Sequence, residues 1–163
     1  MHRIAICSIA LMILALLPGA ETASAQRTSR YVNGDEVRIF DLINRERSRQ
    51  RLSDLSWSDD LAELARSYSE RMAREHYFEH IDSSGNDVAA RAKKMRIRGW
   101  SRIGENLFMC SPDGNFTTLS VRGWMRSQTH RENILDPGWS ETGIGIAYAR
   151  NGDIYITEIF ADR

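Results

Sequence analysis

The last 23 residues of the chain contain two strands that are apolar on both faces. In the first, Ile144, Ile146 and Tyr148 alternate with Gly145, Ala147 and Ala149; in the second, Ile154 and Ile156 alternate with Tyr155, Thr157 and Ile159. Asn151-Gly152 between them is a preferred hairpin turn. A sheet with one face in water would be polar at every second position. The pattern therefore predicts a single-domain α–β–α sandwich of the α+β class, with a mainly antiparallel sheet covered by helices on both faces.

Helical periodicity and capping residues predict the covering helices. The clearest amphipathic helix follows Ser58-Asp59-Asp60, where apolar residues recur at helical spacing as far as Met72. The other predicted elements are a helix over 35–50, a helix over 87–98, a short strand over 103–109 and a fourth helix that ends near Ser127.

The N-terminal 25 residues have the pattern of a secretory signal peptide. Arg3 precedes the apolar run Ile4–Leu17, and Ala23-Ser24-Ala25 forms a small-x-small cleavage site before Gln26. A retained membrane anchor is the alternative, but the run is short for a bilayer about 30 Å thick. We therefore expect a signal peptide over 1–25, a lead-in over 26–34 and a domain over 35–163. The mature protein would be secreted, extracellular or periplasmic, with no transmembrane segment.

The charge balance and the cysteine content argue against two classes of protein: nucleic-acid binders and small proteins held together by several disulfides. The chain has 22 Lys+Arg and 22 Asp+Glu, a balance that argues against binding nucleic acid through bulk electrostatics. Cleavage removes Cys7 and leaves Cys110 as the one cysteine of the mature chain. We therefore expect no internal disulfide and a fold stabilised by packing. We also expect a monomer.

The histidines support two alternative hypotheses for a metal site. His76-Tyr77-Phe78-Glu79-His80 matches H-x-x-E-H, in which two histidines one helical turn apart bind zinc and the glutamate is the base. The second reading is non-local and combines His80, Glu105 and His130. Two imidazoles and a carboxylate suit a divalent cation, zinc in particular. The spacing of the residues does not choose between the two readings.

A series of motifs in order resembles the CAP superfamily, the SCP domain of cysteine-rich secretory, antigen 5 and pathogenesis-related proteins. They are His80, Gly104-Glu105-Asn106-Leu107, Trp124-Met125-x-Ser127-x-x-His130-Arg131-x-Asn133-Ile134-Leu135, Gly143-Ile144-Gly145 and Tyr155-x-Thr157-x-x-Phe160. The family pattern is also matched upstream, at Asn44-x-x-Arg47, Leu55-x-Trp57, Leu61-Ala62-x-x-Ala65 and Arg91. The similarity covers about Glu36 to Phe160 and is greatest to the short, cysteine-poor bacterial branch.

The resemblance implies the same α–β–α sandwich and a cleft in which two histidines and two glutamates face each other. His80, Glu105 and His130 match three of these positions. The fourth acid falls at Ser127, with Gln128 beside it, so one carboxylate remains. That departure weakens any mechanism that needs a carboxylate pair and leaves a His/His/Glu metal set. Asn106 is a further candidate for lining the cleft.

The resemblance does not by itself choose a function. We expect a secreted binding module for a lipid, cell-wall or protein ligand, with a divalent cation such as zinc held by His80 and His130 near Glu105. The alternative is a metal-dependent hydrolase or protease in which Glu105 acts as the base.

Overall fold

The computed structural model describes residues 33–112 and 114–163, so the predicted signal peptide and nearly all of the lead-in lie outside the described residues. The helices there are α1 (Gly34–Arg49), α2 (Asp59–Glu75), α3 (Val88–Lys94), α4 (Phe116–Arg126) and α5 (Gln128–Ile134). The strands are β1 (Ser56–Trp57), β2 (Arg102–Cys110), β3 (Glu141–Tyr148) and β4 (Ile154–Asp162). None of the helices in these ranges is long and apolar enough to cross a membrane.

The four strands form one sheet in the order β1-β3-β4-β2. The predicted hairpin is confirmed: β3 and β4 pair antiparallel, and β2 pairs antiparallel with the other side of β4. The two-residue strand β1, which the sequence did not predict, pairs parallel with the first two residues of β3. Strand β4 is therefore central, and β2 lies at one edge of the sheet.

Both faces of the sheet are covered, as the two-faced hairpin predicted. Along β4, Ile154, Ile156 and Phe160 belong to a buried cluster with residues of α1, α4 and α5. The alternate residues Ile159 and Ala161 pack with α2 and the region of α3. Because successive strand residues point to opposite faces, one apolar strand supplies both halves of the core.

Helix α2 lies unusually close to β3 because two strand positions lack side chains. A Cβ atom on Gly143 would lie 2.1 Å from the backbone nitrogen of Ala62, and one on Gly145 would lie 2.0 Å from that of Arg66. These glycines therefore set the distance between α2 and the sheet. Because Gly143 lies against Ala62 and Gly145 against Arg66, α2 and β3 run in the same direction.

The ends of the helices follow local chemistry. Asn33 and Glu36 form a capping box that starts α1. Helix α3 begins after Asp87, whose side chain caps it, but it ends at Lys94. The expected end at residue 98 is wrong: Arg96 has φ = 61°, a conformation that cannot continue a right-handed helix.

Candidate functional site

The outer edge of β2 is covered by side chains from the two helices that follow it. The indole Nε1 of Trp124 in α4 donates to the carbonyl of Leu107 at 2.9 Å. The Asn133 amide in α5 donates to the carbonyl of Glu105 at 3.3 Å. These bonds satisfy main-chain acceptors that an edge strand would otherwise leave open. They also hold α4 and α5 against the strand that carries Glu105.

Glu105 points from β2 to the α2–α3 face, where it contacts two basic side chains. Its Oε1 lies 2.9 Å from Nδ1 of His80, which comes from the loop between α2 and α3. Its Oε2 accepts a hydrogen bond from the guanidinium of Arg91 in α3. The Glu105 and Arg91 side chains are buried, whereas the His80 side chain is 56% exposed. A buried ion pair therefore holds one side of an imidazole that faces solvent.

The Arg91 side chain makes several contacts in addition to the one with Glu105. Its Nη1 donates to the carbonyls of His80 and Asn86 at 3.0 and 3.1 Å. Its guanidinium carbon lies 3.3 Å from the ring centroid of Tyr68. Through these contacts Arg91 positions both the Glu105 carboxylate and the main chain of His80.

His130 lies in α5, on the other side of the β2 edge. The Nδ2 atom of Asn106 donates to the His130 carbonyl at 3.1 Å, and Oδ1 of Asn106 accepts from Asn133 at 2.9 Å. Asn106 is fully buried and so ties α5 to β2. Burial, and secondarily the charge of His80, lowers the pKa of His130 below its usual 6.5. At neutral pH the imidazole of His130 is therefore uncharged.

The hydrogen bond to Glu105 determines which nitrogen of His80 is left to face outwards. With a carboxylate on Nδ1, the proton of a neutral imidazole resides on that nitrogen, and Nε2 keeps its lone pair. The arrangement matches the carboxylate–histidine pairs that orient metal ligands. His80 and His130 are the two imidazoles beside this edge, and the charge of His80 acts on His130. Glu105 lies behind the first of them, with both of its oxygens already engaged. Within 33–112 and 114–163, no group of three or more His, Cys, Asp or Glu side chains is placed to hold a metal.

The local H-x-x-E-H reading is wrong. Helix α2 ends at Glu75, and His76 is its C-cap with φ = 56° in the left-handed region. The residues that follow are not helical, so His76 and His80 do not lie one helical turn apart on one face. His76 instead lines a groove beside β3.

Ser127 and Gln128 form the junction of α4 and α5, at the position where the family resemblance would place a fourth acid. Ser127 ends α4 and begins α5 without a side-chain capping bond. The Gln128 amide donates to Glu132 within α5 at 2.9 Å. Helix α5 was not predicted, and His130 was expected to follow the Trp124 helix. Arg91 and Asn133 were not predicted as site residues, although both belong to the matching motifs.

A second buried acid lies on the opposite face of the sheet. Glu158 in β4 is fully buried and contacts the side chains of Asn106 and Thr142, each at 3.4 Å. Burial raises the pKa of Glu158 to about 8, although these two side chains and Arg47 favour the charged form. The carboxyl group is therefore mainly protonated at neutral pH. Through Asn106 it connects to the main chain of His130.

The protein family follows from the sequence model that the chain matches. The model of the cysteine-rich secretory protein family, CAP, matches residues 40–160. The chain belongs to the CAP family. The matched range contains every residue of the His80–Glu105–His130 site and most of the sheet.

Three bacterial relatives illustrate this membership. YkwD, an uncharacterized protein of Bacillus subtilis, is 32% identical over 125 residues, 76% of this chain and 46% of its own length. The uncharacterized membrane protein YlbC of the same species is 27% identical over 126 residues, 77% of this chain and 35% of its own. An extracellular SCP-domain protein of Bacillus anthracis, solved by crystallography, superposes with a TM-score of 0.69 at 28% identity, covering 91% of this chain and 45% of that one. The chain thus spans between a third and a half of the length of these relatives.

Proposed function

We propose that this CAP domain is a secreted binding module that holds a divalent cation between His80 and His130 at the β2 edge. The proposal rests on one observation: the buried Glu105 carboxylate lies on Nδ1 of His80, which directs the basic Nε2 outwards. His130 supports it, because its lowered pKa keeps a second imidazole uncharged at neutral pH. Two protein ligands leave coordination positions for a ligand, and affinity should be modest compared with a closed zinc site.

In this proposal Glu105 orients His80 and is not a catalytic base. Arg91 and His80 already occupy both carboxylate oxygens. We therefore favour the binding module over the metal-dependent hydrolase, and we expect no turnover of peptides or esters by the zinc-loaded protein.

Calorimetry with zinc at pH 7.5 tests the site. We expect one zinc per chain for the parent protein and for His76→Ala, the control on a histidine outside the site. We expect no binding for His80→Ala or His130→Ala, with the fold intact by circular dichroism. Glu105→Gln should weaken binding about 10- to 100-fold, the usual effect of removing a carboxylate behind a ligating histidine.

The pH dependence gives a second readout of the same site. An imidazole binds metal only when neutral, so affinity should fall as the pH drops from about 7.5 to 5.5. Binding that survives His130→Ala, or that is lost in His76→Ala, would contradict the His80–His130 pair. A parent protein that binds no zinc at all would also refute it.

Among the expected ligand classes, the surroundings of His80 favour a lipid with an anionic head group. Phe78 and Ile81, on either side of His80, are 40% and 52% exposed, which is high for large apolar side chains. A cation on the histidines would bind the head group while these side chains contact the acyl chain. The exposed side chains alone would suit a purely apolar ligand, but the cation adds a requirement for negative charge.

Oleate is a suitable probe for this ligand class. We expect the protein to bind oleate more tightly with zinc than without it, and Ile81→Ser to weaken that binding. Leu119→Ser is the matched control, since Leu119 is a 37% exposed apolar residue on α4. Oleate affinity that is independent of zinc, or equal losses in the two serine variants, would exclude this ligand class while leaving the zinc site to its own test.

A further inference from the structure

The most basic stretch of the chain surrounds the C-terminal end of α3. Between Asp87 and Glu105 there are six basic residues and no acidic one. Four of the six lie within six consecutive positions and include both lysines of the chain: Lys93, Lys94, Arg96 and Arg98. A chain with no net charge therefore concentrates positive charge in one short segment.

The way in which α3 ends turns these side chains outwards. The N–H of Arg96 donates to the carbonyl of Lys93, and the N–H of Ile97 donates to that of Ala92, each at 3.0 Å. These are the two bonds of a Schellman motif. Ile97 and Ala92 are buried in one cluster, and the four basic side chains are exposed. None of the four forms an ion pair with another residue that the structure describes.

Arg96 has a backbone conformation that favours glycine. Its φ is 61°, and the equivalent position of a Schellman motif is usually glycine, which has no Cβ atom. The helix dipole favours Lys93 and Lys94, which lie in the last turn of α3. That effect falls off within one turn and gives no reason for arginine rather than glycine at position 96. The capping of α3 therefore does not account for the whole cluster.

Two apolar side chains lie among the cations. Met95 is 37% exposed. Trp100 is half-buried, and its indole N–H donates to the carbonyl of Ile97 at 3.2 Å. Cations around exposed apolar side chains suit the surface of an anionic bilayer, because the cations stay at the head groups while the apolar side chains reach below them. A polyanion dissolved in water would contact the cations but offer nothing to Met95.

We propose that a basic surface docks this protein on an anionic lipid bilayer. The surface consists of Lys93, Lys94, Met95, Arg96 and Arg98. Docking requires no net charge on the whole protein, because salt screens charges that lie more than about 10 Å from the membrane. Each Lys or Arg near an anionic bilayer raises the affinity about fivefold, so four of them together contribute roughly 600-fold.

The basic surface lies next to the His80 site. Arg91, which donates to the His80 carbonyl, lies one turn before Lys94 on α3, and both line a cavity of about 140 Å³. Asp82, the acid of that cavity, pairs with Arg71 at 2.7 Å and leaves Lys94 without a countercharge. Docking here would bring the lipid site of the proposed function close to a bilayer. The docking itself does not depend on a cation at the histidines.

Flotation of the mature protein with lipid vesicles, in EDTA, tests the docking. We expect binding to phosphatidylcholine vesicles that contain about 30% phosphatidylglycerol, and a loss of that binding as NaCl rises from about 50 to about 500 mM. Binding to pure phosphatidylcholine should be far weaker. The double variant Lys93→Gln/Lys94→Gln should bind the anionic vesicles about 25-fold more weakly. The matched control is Arg122→Gln/Arg126→Gln, which removes the same charge from two exposed arginines of α4 and should have little effect.

Two single variants separate docking from folding. Because glycine suits φ = 61°, Arg96→Gly should keep the urea midpoint at or above that of the parent, while vesicle binding falls about fivefold. A purely structural role for Arg96 would instead lower the midpoint and leave vesicle binding unchanged. Met95→Ser should weaken vesicle binding and leave any binding of polyphosphate as it was.

Three results would overturn the proposal. They are equal affinity for the two vesicle compositions, equal losses in the two double variants, and polyphosphate binding as tight as vesicle binding with no effect of Met95→Ser. The last result would assign the surface to a soluble polyanion. His80→Ala should bind the vesicles like the parent protein, so failure of the docking leaves the zinc site to its own test.

Discussion

The two edges of the sheet differ in whether their main-chain hydrogen-bonding groups have partners. At β2, Trp124 and Asn133 donate to main-chain carbonyls of the strand. At the end of β3, main-chain groups face a groove with no strand beside them in the described residues. In the proposed function, the covered edge presents the side chains of His80 and His130 to a ligand. The open edge instead presents main-chain groups of β3.

This difference shows how the cover of a sheet edge determines which groups that edge can present. A side-chain site needs a backbone that does not move, and the bonds from α4 and α5 provide it at β2. Within the described residues, the short β1 leaves main-chain groups of β3 unpaired, and such groups can in general accept another strand. The helices that follow β2 in sequence therefore decide which edge can carry a metal site.

Removing the cover of the β2 edge should have the largest effect. Trp124→Ala removes a side chain that is 1% exposed and leaves the Leu107 carbonyl without its donor. We expect a loss of about 3–5 kcal/mol in the free energy of unfolding, measured with urea. Trp124→Phe keeps most of the ring and removes the N–H, so it should cost less, about 1–3 kcal/mol. A loss below about 1 kcal/mol in the alanine variant would show that the edge does not depend on this residue.

A smaller loss is expected where α2 packs on β3. Gly145→Ala would place a methyl group 2.0 Å from the Arg66 nitrogen, so α2 must move outwards. We expect a destabilisation of about 1–3 kcal/mol, typical of overpacking. Gly114→Ala is the control, because nothing lies within 4 Å of its Cβ position. Equal stability of the two variants would mean that α2 shifts freely, and β3 would not be held at a fixed depth.

Glu158 on β4 contacts a side chain from each of the neighbouring strands. Its contribution to the free energy of unfolding should depend on pH. Its folded pKa of about 8 lies above the ordinary value of 4.5. Between these values the unfolded chain loses the proton and the folded protein keeps it, so stability falls as pH rises from about 4.5 to about 8. We expect this contribution to exceed about 1.4 kcal/mol, the equivalent of one pKa unit.

Glu158→Gln should remove that pH dependence, since the amide cannot ionise and still offers a donor and an acceptor. Urea unfolding at pH 5, 7 and 9 measures the difference between the parent protein and the variant. Parallel pH profiles for the two proteins would show that Glu158 is not held in its protonated form.

Local sequence patterns predicted most of the framework. The alternation in β3 and β4, the Asn151-Gly152 turn and the helical spacing before Met72 each depend on neighbouring residues, and all three are confirmed. Elements without a local pattern were missed. Strand β1 has two residues and exists because its main chain pairs with β3. Helix α5 has seven residues and packs on β2 through Asn133, a contact that spans 28 positions.

The candidate site was likewise predicted only in part from the sequence. The sequence by itself determined the two covered faces of the sheet, because periodicity records which side chains avoid water. Its motifs also selected His80, Glu105 and His130, although no spacing shows that residues 50 positions apart meet. Only the tertiary structure decided that Glu105 turns its carboxylate to His80 and Arg91, and that His76 lies beside β3 instead. The physical reason is that a side chain's partners and burial depend on long-range packing, and these set its charge and its free lone pairs.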